Sequence, residues 1–360
     1  MSTDATKILL KPFLDRAPAP MFMTSWFKTP AENFHMSESV EIDVQRDGKP
    51  IAIPVPAMGT GARENENSQY TNKECVPPIL NETVTIPAMR LLKRAPGESP
   101  FENTDFQAKT FLLVAGATGK LTDKLQRTIE LQSAQVLQTG TVTLVDQAGV
   151  TAYTISFSPK GTHFVTPTAW AVGGGTGDPI GDLDSLADVV RTDGNCEPDN
   201  LLFGRGAWMR FLDNAKVQKF LVRDGLGLGS LKPQLRSHNA SFQGVINVGA
   251  STFACWTYNA NYDHPQTGTS TPYLASNKVV MLSSQARLEG TFGAIPRFSS
   301  PGDQALLNYI PQRISSESLS LDLTVSAYFT ANRQGLVVEV GTRPLMMPVQ
   351  IDGFGCLTVF

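Results

Sequence analysis

The 360 residues include 30 lysines and arginines against 33 aspartates and glutamates, a formal charge of −3, with 41% hydrophobic and 18% charged side chains. That length can bury a large core in two or three domain-sized units, and that charge excludes a chain holding nucleic acid mainly through bulk positive charge. Thirty glycines and 24 prolines require many turns and extended segments, so the composition predicts a strand-rich α+β protein.

Residues 1–36 contain "FLDRAPAPMFMTSWFKTPAENFHM", where Pro12, Pro18, Pro20 and Pro30 forbid a long helix while Phe13, Phe22, Trp26, Phe27 and Phe34 offer large apolar contacts. Such a segment must lie along another surface, either that of its own body or that of a neighbouring subunit. From Ser37 to about Arg94 the pattern is extended. "SVEIDV" and "IAIPV" alternate about the turn "DGKP", a polar stretch runs from Ala57 to Cys75, and "ETVTIPAM" reads as a strand at 82–89. This unit is expected to be a long two-stranded excursion with a charged far end, which in water needs something to lie on.

After a proline-containing loop comes "FLLVAGATGKLTDKLQRTIELQ" at 111–132, which superficially resembles a phosphate-binding loop. A Walker loop requires glycine at both ends of its span and Ser or Thr after the lysine; here Val114 and Leu121 occupy two of those positions. The stretch is therefore expected to be a glycine turn between a helix at about 104–115 and a longer one at about 118–139, with Leu121, Leu125, Ile129 and Val136 on one face. "TVTLV" and "VTAYTISF" then form a hairpin around "DQAG".

"AWAVGGGTGDPIGDLDSLADVVRTDG" at 169–194 fails the dinucleotide fingerprint in both registers, because the third glycine falls on Asp178 or on Ile180. It reads instead as a glycine linker over 173–177, then a helix capped by Asp178, started by Pro179 and burying Leu183, Leu186, Ala187 and Val190. A short strand at 201–203 leads to a helix at about 206–222 burying Trp208, Phe211, Leu212 and Ala215. Two strands joined by a polar loop at about 260–273 follow, and alternation resumes from Ser316 to the closing "CLTVF".

No chemistry-bearing constellation emerges. Cys75, Cys196, Cys255 and Cys356 form no Cys-x-x-Cys pair and read as reduced, mostly buried thiols. His35, His163, His238 and His264 lack ligand spacing, with His264 expected to bond within its own loop. The pairs Asp182/Asp184 and Glu64/Glu66 read as solvated charge on a helix face and on the hairpin tip. No catalytic residue, cofactor or metal is expected. No apolar run reaches the ~20 residues of a membrane helix, and "MSTDATKILLKPF" lacks a secretory pattern, which predicts a cytosol-like compartment and no membrane partner.

The order and spacing of "PMFMTSWF", "VEIDV", "TIELQSAQVLQTGTVTL", "LLFGRGAWMRFLDNAKV", "KVVMLSSQARLEGTFGAIP" and "TRPLMMPVQIDGFGCLTVF" resemble the major capsid proteins of tailed bacteriophages, of the lambda gene E type. The resemblance implies the Hong Kong 97-like capsid fold: an N-terminal arm at 1–36, an extended loop at 37–94, a peripheral domain at 95–175 with a long spine helix, a mainly axial domain at 176–315, and C-terminal strands at 316–360 returning to the core. It implies self-assembly into pentamers and hexamers of an icosahedral virion shell around double-stranded DNA met without sequence recognition, in the host cytoplasm. A portal and a decoration protein are further implied partners. A separate scaffold is expected because only about 36 residues precede the hairpin. Phe22, Trp26, Phe27, Arg63, Glu64, Glu66, Lys73 and Glu74 are the expected intersubunit contacts. The rival readings are a small-ligand enzyme with a site near 173–177, and a tail or decoration protein of the same virion.

Overall fold

A computed structural model of the chain describes residues 19–35, 39–45, 70–92, 106–170, 177–221, 229–237, 239–295, 323–330 and 334–360. The arm segment runs through two short turns into strand β1 (Phe34–His35), and strands β2 (Val40–Gln45) and β3 (Tyr70–Cys75) pair antiparallel as a ribbon. Strand β4 (Leu80–Pro87), one turn of helix α1 (Met89–Leu92) and the 34-residue helix α2 (Phe106–Thr139) follow. A hairpin of β5 (Thr141–Val145) and β6 (Thr151–Ser156) precedes β7 (Phe164–Val165), helix α3 (Pro179–Gly194), β8 (Asn200–Phe203) and helices α4 (Arg205–Asp213) and α5 (Ala215–Leu221). Next come β9 (Gly229–Ser237), β10 (Ala240–Val248), β11 (Ser251–Tyr258), the small hairpin β12 (Asn261–Asp263) and β13 (Ser270–Pro272), β14 (Lys278–Leu282) and β15 (Leu288–Gly293). The chain finishes with β16 (Thr324–Phe329), β17 (Gly335–Thr342), β18 (Pro344–Pro348) and β19 (Phe354–Thr358).

"NLLF", "KVVML" and "FGCLT" are apolar at successive positions because their strands are covered on both faces. They sit centrally in a seven-stranded sheet ordered β7-β19-β14-β8-β11-β10-β9. Alternate side chains point to opposite layers. Leu201, Phe203, Val279, Met281, Cys255 and Leu357 meet α3, α4 and α5, while Leu202, Val280, Leu282 and Cys356 join the cluster that contains Ile129, Val136 and Leu137 of α2. The sheet is thus the middle of three layers. The N-terminal half of α2 instead covers a second sheet, ordered β16-β17-β4, through Val114, Ala117, Leu121 and Leu125.

Four expectations need correction. Residues 106–139 form one helix, with no turn at "GATGK". The stripe Val114, Ala117, Leu121, Leu125 stays buried through the glycines, and a glycine inside a helix costs only about 1 kcal/mol against the burial of those side chains. Second, β2 pairs with "YTNKEC" of β3, which was expected to be part of a polar stretch, and the strand at 82–89 leaves the excursion, β4 pairing with β17 and Val84 standing opposite Val338. Main-chain pairing needs no apolar side chain, so this strand carried no alternation signal. Third, the helix expected at 206–222 breaks at Asn214, whose extended backbone ends α4 and whose side chain accepts from the Lys216 N–H at 2.9 Å to start α5. Fourth, the segment expected as one strand before the polar loop is a hairpin, β10 and β11, that turns at Gly249 with φ +56°, and the loop itself carries β12 and β13. Strand β9, for which the sequence carried no signal, contains Pro233, which an edge strand tolerates because one side needs no ladder N–H. The glycines at 173–175, His238, the turn "DGKP" and the strand "IAIPV" lie outside the described residues.

The helix at 179–194 forms as its signals require. Asp178 accepts from the Gly181 N–H, Pro179 occupies the first turn, and Leu183, Leu186, Ala187 and Val190 are buried. At the far end of α2, Gly140 stops the helix with φ +66°, and a Cβ there would overlap the Pro159 ring. Gly140→Ala is therefore expected to destabilise the subunit by about 2–3 kcal/mol, left-handed backbone strain adding to the clash, as read from the denaturant midpoint.

Candidate assembly interface

The second half of α2 is enclosed on most sides, so its polar side chains cannot be hydrated and must find protein partners. Three glutamines each clamp the backbone of a different segment. Gln132 accepts from the Met346 N–H of β18 at 3.3 Å; Gln135 exchanges two bonds with Thr143 of β5 at 2.7 and 2.9 Å; Gln138 donates to the Tyr273 carbonyl at 2.7 Å and accepts from the Ala275 N–H at 3.0 Å.

Glu130 does the same for the arm. One carboxylate oxygen accepts from the Met23 N–H at 2.8 Å and from the Tyr258 hydroxyl at 2.6 Å; the other accepts from the Thr24 N–H at 2.9 Å and the Thr24 hydroxyl at 2.6 Å. The residue is 0% exposed, and burial pushes its carboxyl above the usual range, although the Thr24 and Tyr258 hydroxyls and the two amides pull it back. Burial and the neighbouring Glu130 charge likewise raise the Tyr258 phenol.

Around this clamp the arm packs on its own body. The Phe22 ring lies 5.4 Å from that of Trp256 and 5.3 Å from that of Tyr258; Phe22, Met23 and Phe27 are buried, and Trp26 is half-buried. The Lys28 carbonyl accepts from Gly290 at 2.9 Å, the Asn33 amide donates to Glu289 at 2.9 Å, and β1 adds a parallel strand beside β15 in the sheet β1-β15-β18. Residues 19–35 of the arm thus lie along their own body.

The ribbon is anchored at its base. Val40 and Cys75 enter the core, the Tyr153 hydroxyl donates to the Val76 carbonyl at 2.8 Å, and Arg343 donates to the Pro77 carbonyl at 3.4 Å. Lys73 stands opposite Ile42, and the exposed Glu74 stands opposite Glu41. Arg63, Glu64 and Glu66 lie outside the described residues.

The remaining candidates take structural places. Asp182 and Asp184 are half-buried rather than solvated: Asp182 accepts the Trp170 indole N–H at 2.8 Å, and Asp184 sits beneath the Gly249 turn. His163 is buried with Nδ1 2.9 Å from the Phe354 carbonyl and Nε2 3.3 Å from Asp193, and His264 bonds within its loop by accepting from the Gln266 N–H. All four cysteines are free and buried, and burial pushes the Cys255 and Cys356 thiols up to about 12, where they are poor nucleophiles. Among the described residues, no three His, Cys, Asp or Glu side chains are grouped to hold a metal ion, and no helix is long and apolar enough to cross a membrane.

Residues 14–359 match the sequence profile of the family described as phage major capsid protein E. The chain belongs to that family. Solved structures agree with the fold: a protein named as a prophage capsid protein of Escherichia coli CFT073 superposes with a TM-score of 0.61 at 16% identity, over 95% of this chain and 93% of the other. A Mycobacterium phage Bobi chain gives 0.49 at 11% identity, over 97% and 93% of the two chains. The SrpI encapsulin of Synechococcus elongatus PCC 7942 gives 0.47 at 11% identity, over 97% and 90%. No curated protein matches the chain. The fold is the Hong Kong 97-like α+β capsid fold, and this phage major capsid protein is a shell-forming structural component of the virion. Thr24, Glu130 and Tyr258 escaped the sequence reading. The available signal was an acid directly adjoining the buried stripe at Ile129.

Proposed function

We propose that the capsid subunit closes into rings of five and six and that these rings tile an icosahedral shell around double-stranded phage DNA. The observation that carries this reading is the family match over residues 14–359. Head-to-tail contacts that close generate rings, and many weak contacts repeated over a shell sum to a stable assembly. The ribbon of β2 and β3 supports it further, since an isolated two-stranded ribbon is barely stable in water and gains from lying on a neighbour. Intersubunit contact is assigned to Phe22, Trp26 and Phe27 of the arm, of which Trp26 is half-buried and Phe22 and Phe27 are covered by their own body, and to Arg63, Glu64, Glu66, Lys73 and Glu74.

In this reading, 1–36 is the arm, 37–94 the extended loop, 95–175 the peripheral domain, 176–315 the mainly axial domain, and 316–360 the returning strands. A separate scaffold, a portal and a decoration protein are the protein partners, assembly takes place in the host cytoplasm, and the near-neutral chain meets DNA without sequence recognition.

Electron microscopy of the purified protein is expected to show shells or capsomer rings; a subunit that stays monomeric at high concentration would sink the proposal. The double variant Lys73→Glu, Glu74→Lys is expected to lower shell yield by about tenfold or more, because a loss of up to about 1 kcal/mol per contact recurs at every copy. The melting temperature of the isolated subunit should stay unchanged.

A further inference from the structure

We propose that docking of the arm segment Met21–Phe27 onto α2 takes up one proton at Glu130, so that the arm is held most firmly at mildly acidic pH and loosens as pH rises.

The geometry sets this up in three ways. Glu130 is closed off from solvent by the arm itself, Met23 and Thr24 being 0% exposed above it. Its partners among the described residues are two backbone amides and two hydroxyls, none of them a cation. The titratable groups that face it are the phenols of Tyr258 on β11 and Tyr273 just beyond β13; the docked arm contributes none, and Arg127 on the same helix acts on Tyr273. A buried carboxylate without a counter-charge favours its neutral form.

The site can also hold the proton without losing a partner. An amide N–H only donates, but a hydroxyl donates or accepts. Each carboxyl oxygen meets one amide and one hydroxyl, so a protonated oxygen can donate to the Thr24 or Tyr258 hydroxyl while the amide contacts persist. When the arm lifts, water reaches Glu130 and the proton leaves to solvent. The sign follows from proton counting. The docked state binds the additional proton between the ordinary carboxyl value near 4.5 and the raised value in the docked state. Docking therefore weakens with rising pH across that window and is level above it.

Amide hydrogen exchange of the full-length protein tests this. The protection of Met23 and Thr24, corrected for intrinsic exchange and referred to Leu201–Phe203 in β8, is read from about pH 5 to about pH 8. Protection should fall by up to about tenfold per pH unit within the window and then level off. Protection that is flat or rises with pH overturns the proposal, as does a Glu130→Gln variant that docks and keeps the wild-type pH dependence. Should Glu130→Gln leave the arm undocked at every pH, Tyr258→Phe decides. Removing a hydroxyl that favours the charged form should move the fall to higher pH, and an unmoved or lower position refutes the coupling.

Discussion

Replacing Glu130 with alanine is expected to loosen the arm from α2 and to lower the stability of the subunit by about 3–5 kcal/mol. The substitution leaves the Met23 and Thr24 amides without acceptors in a dry site, at about 1–3 kcal/mol each, and strands the Tyr258 hydroxyl beside them. The arm can restore those bonds with water only by leaving. Leaving uncovers Phe22, Met23 and Phe27, whose burial contributes about 1.5–3 kcal/mol apiece, so neither response is cheap. Denaturant unfolding measures the loss, and limited proteolysis within residues 19–35 locates it. A loss below about 1 kcal/mol with the arm still protected would show that apolar packing alone holds the segment. Ser133→Ala, which removes a 3.2 Å hydroxyl contact to Thr24 and a 3.0 Å bond to the Ile129 carbonyl of its own helix, is the mild control.

Trp170→Ala is expected to cost a similar amount, about 3–5 kcal/mol, on the opposite side of the seven-stranded sheet. The side chain is 0% exposed and packs 6.1 Å from Phe211, centroid to centroid. Its indole N–H reaches Asp182 of α3, its carbonyl accepts from Arg210 of α4 at 3.0 Å, and its amide donates to the Val359 carbonyl at 2.9 Å. One residue thus joins two helices and the strand end. Trp170→Phe separates the contributions: it keeps most of the apolar volume but leaves the half-buried Asp182 without its donor, and about 1–2 kcal/mol of loss is expected. The same denaturation series reads both variants.

Local signals explain which parts of this architecture were legible from the residues. Asp178, Pro179 and the stripe from Leu183 to Val190 describe α3 completely because cap, first turn and buried face are all short-range properties. The hairpin of β5 and β6 is equally local. What failed was decided at a distance. Gly116 and Gly119 look like a turn until the sheet of β4, β16 and β17 holds the helix straight across them. "YTNKEC" becomes a strand because β2 offers a ladder, and Pro233 is accepted in β9 because that strand lies at an edge. The same reasoning covers the interface. The aromatic arm was recognisable as a segment in need of a surface, but which surface depends on Glu130 and Tyr258, 106 and 234 positions beyond Thr24 in the numbering. The family resemblance bridged that gap for the fold, since the order of many weak motifs encodes topology that no single motif carries.

The pairing of β19 has a kinetic consequence. Phe354–Thr358 inserts between β14 and the two residues of β7, so the sheet that separates the two large clusters stays incomplete until ribosomes have passed Thr358. Helix α2 and its following hairpin can form early, being local, whereas closure of the sheet must search contacts such as Cys356 with Phe164, which are separated by more than half of the chain. A chain not yet translated through Thr358 therefore has an unfinished core, and insertion of β19 between β14 and β7 is expected to be the late step of folding.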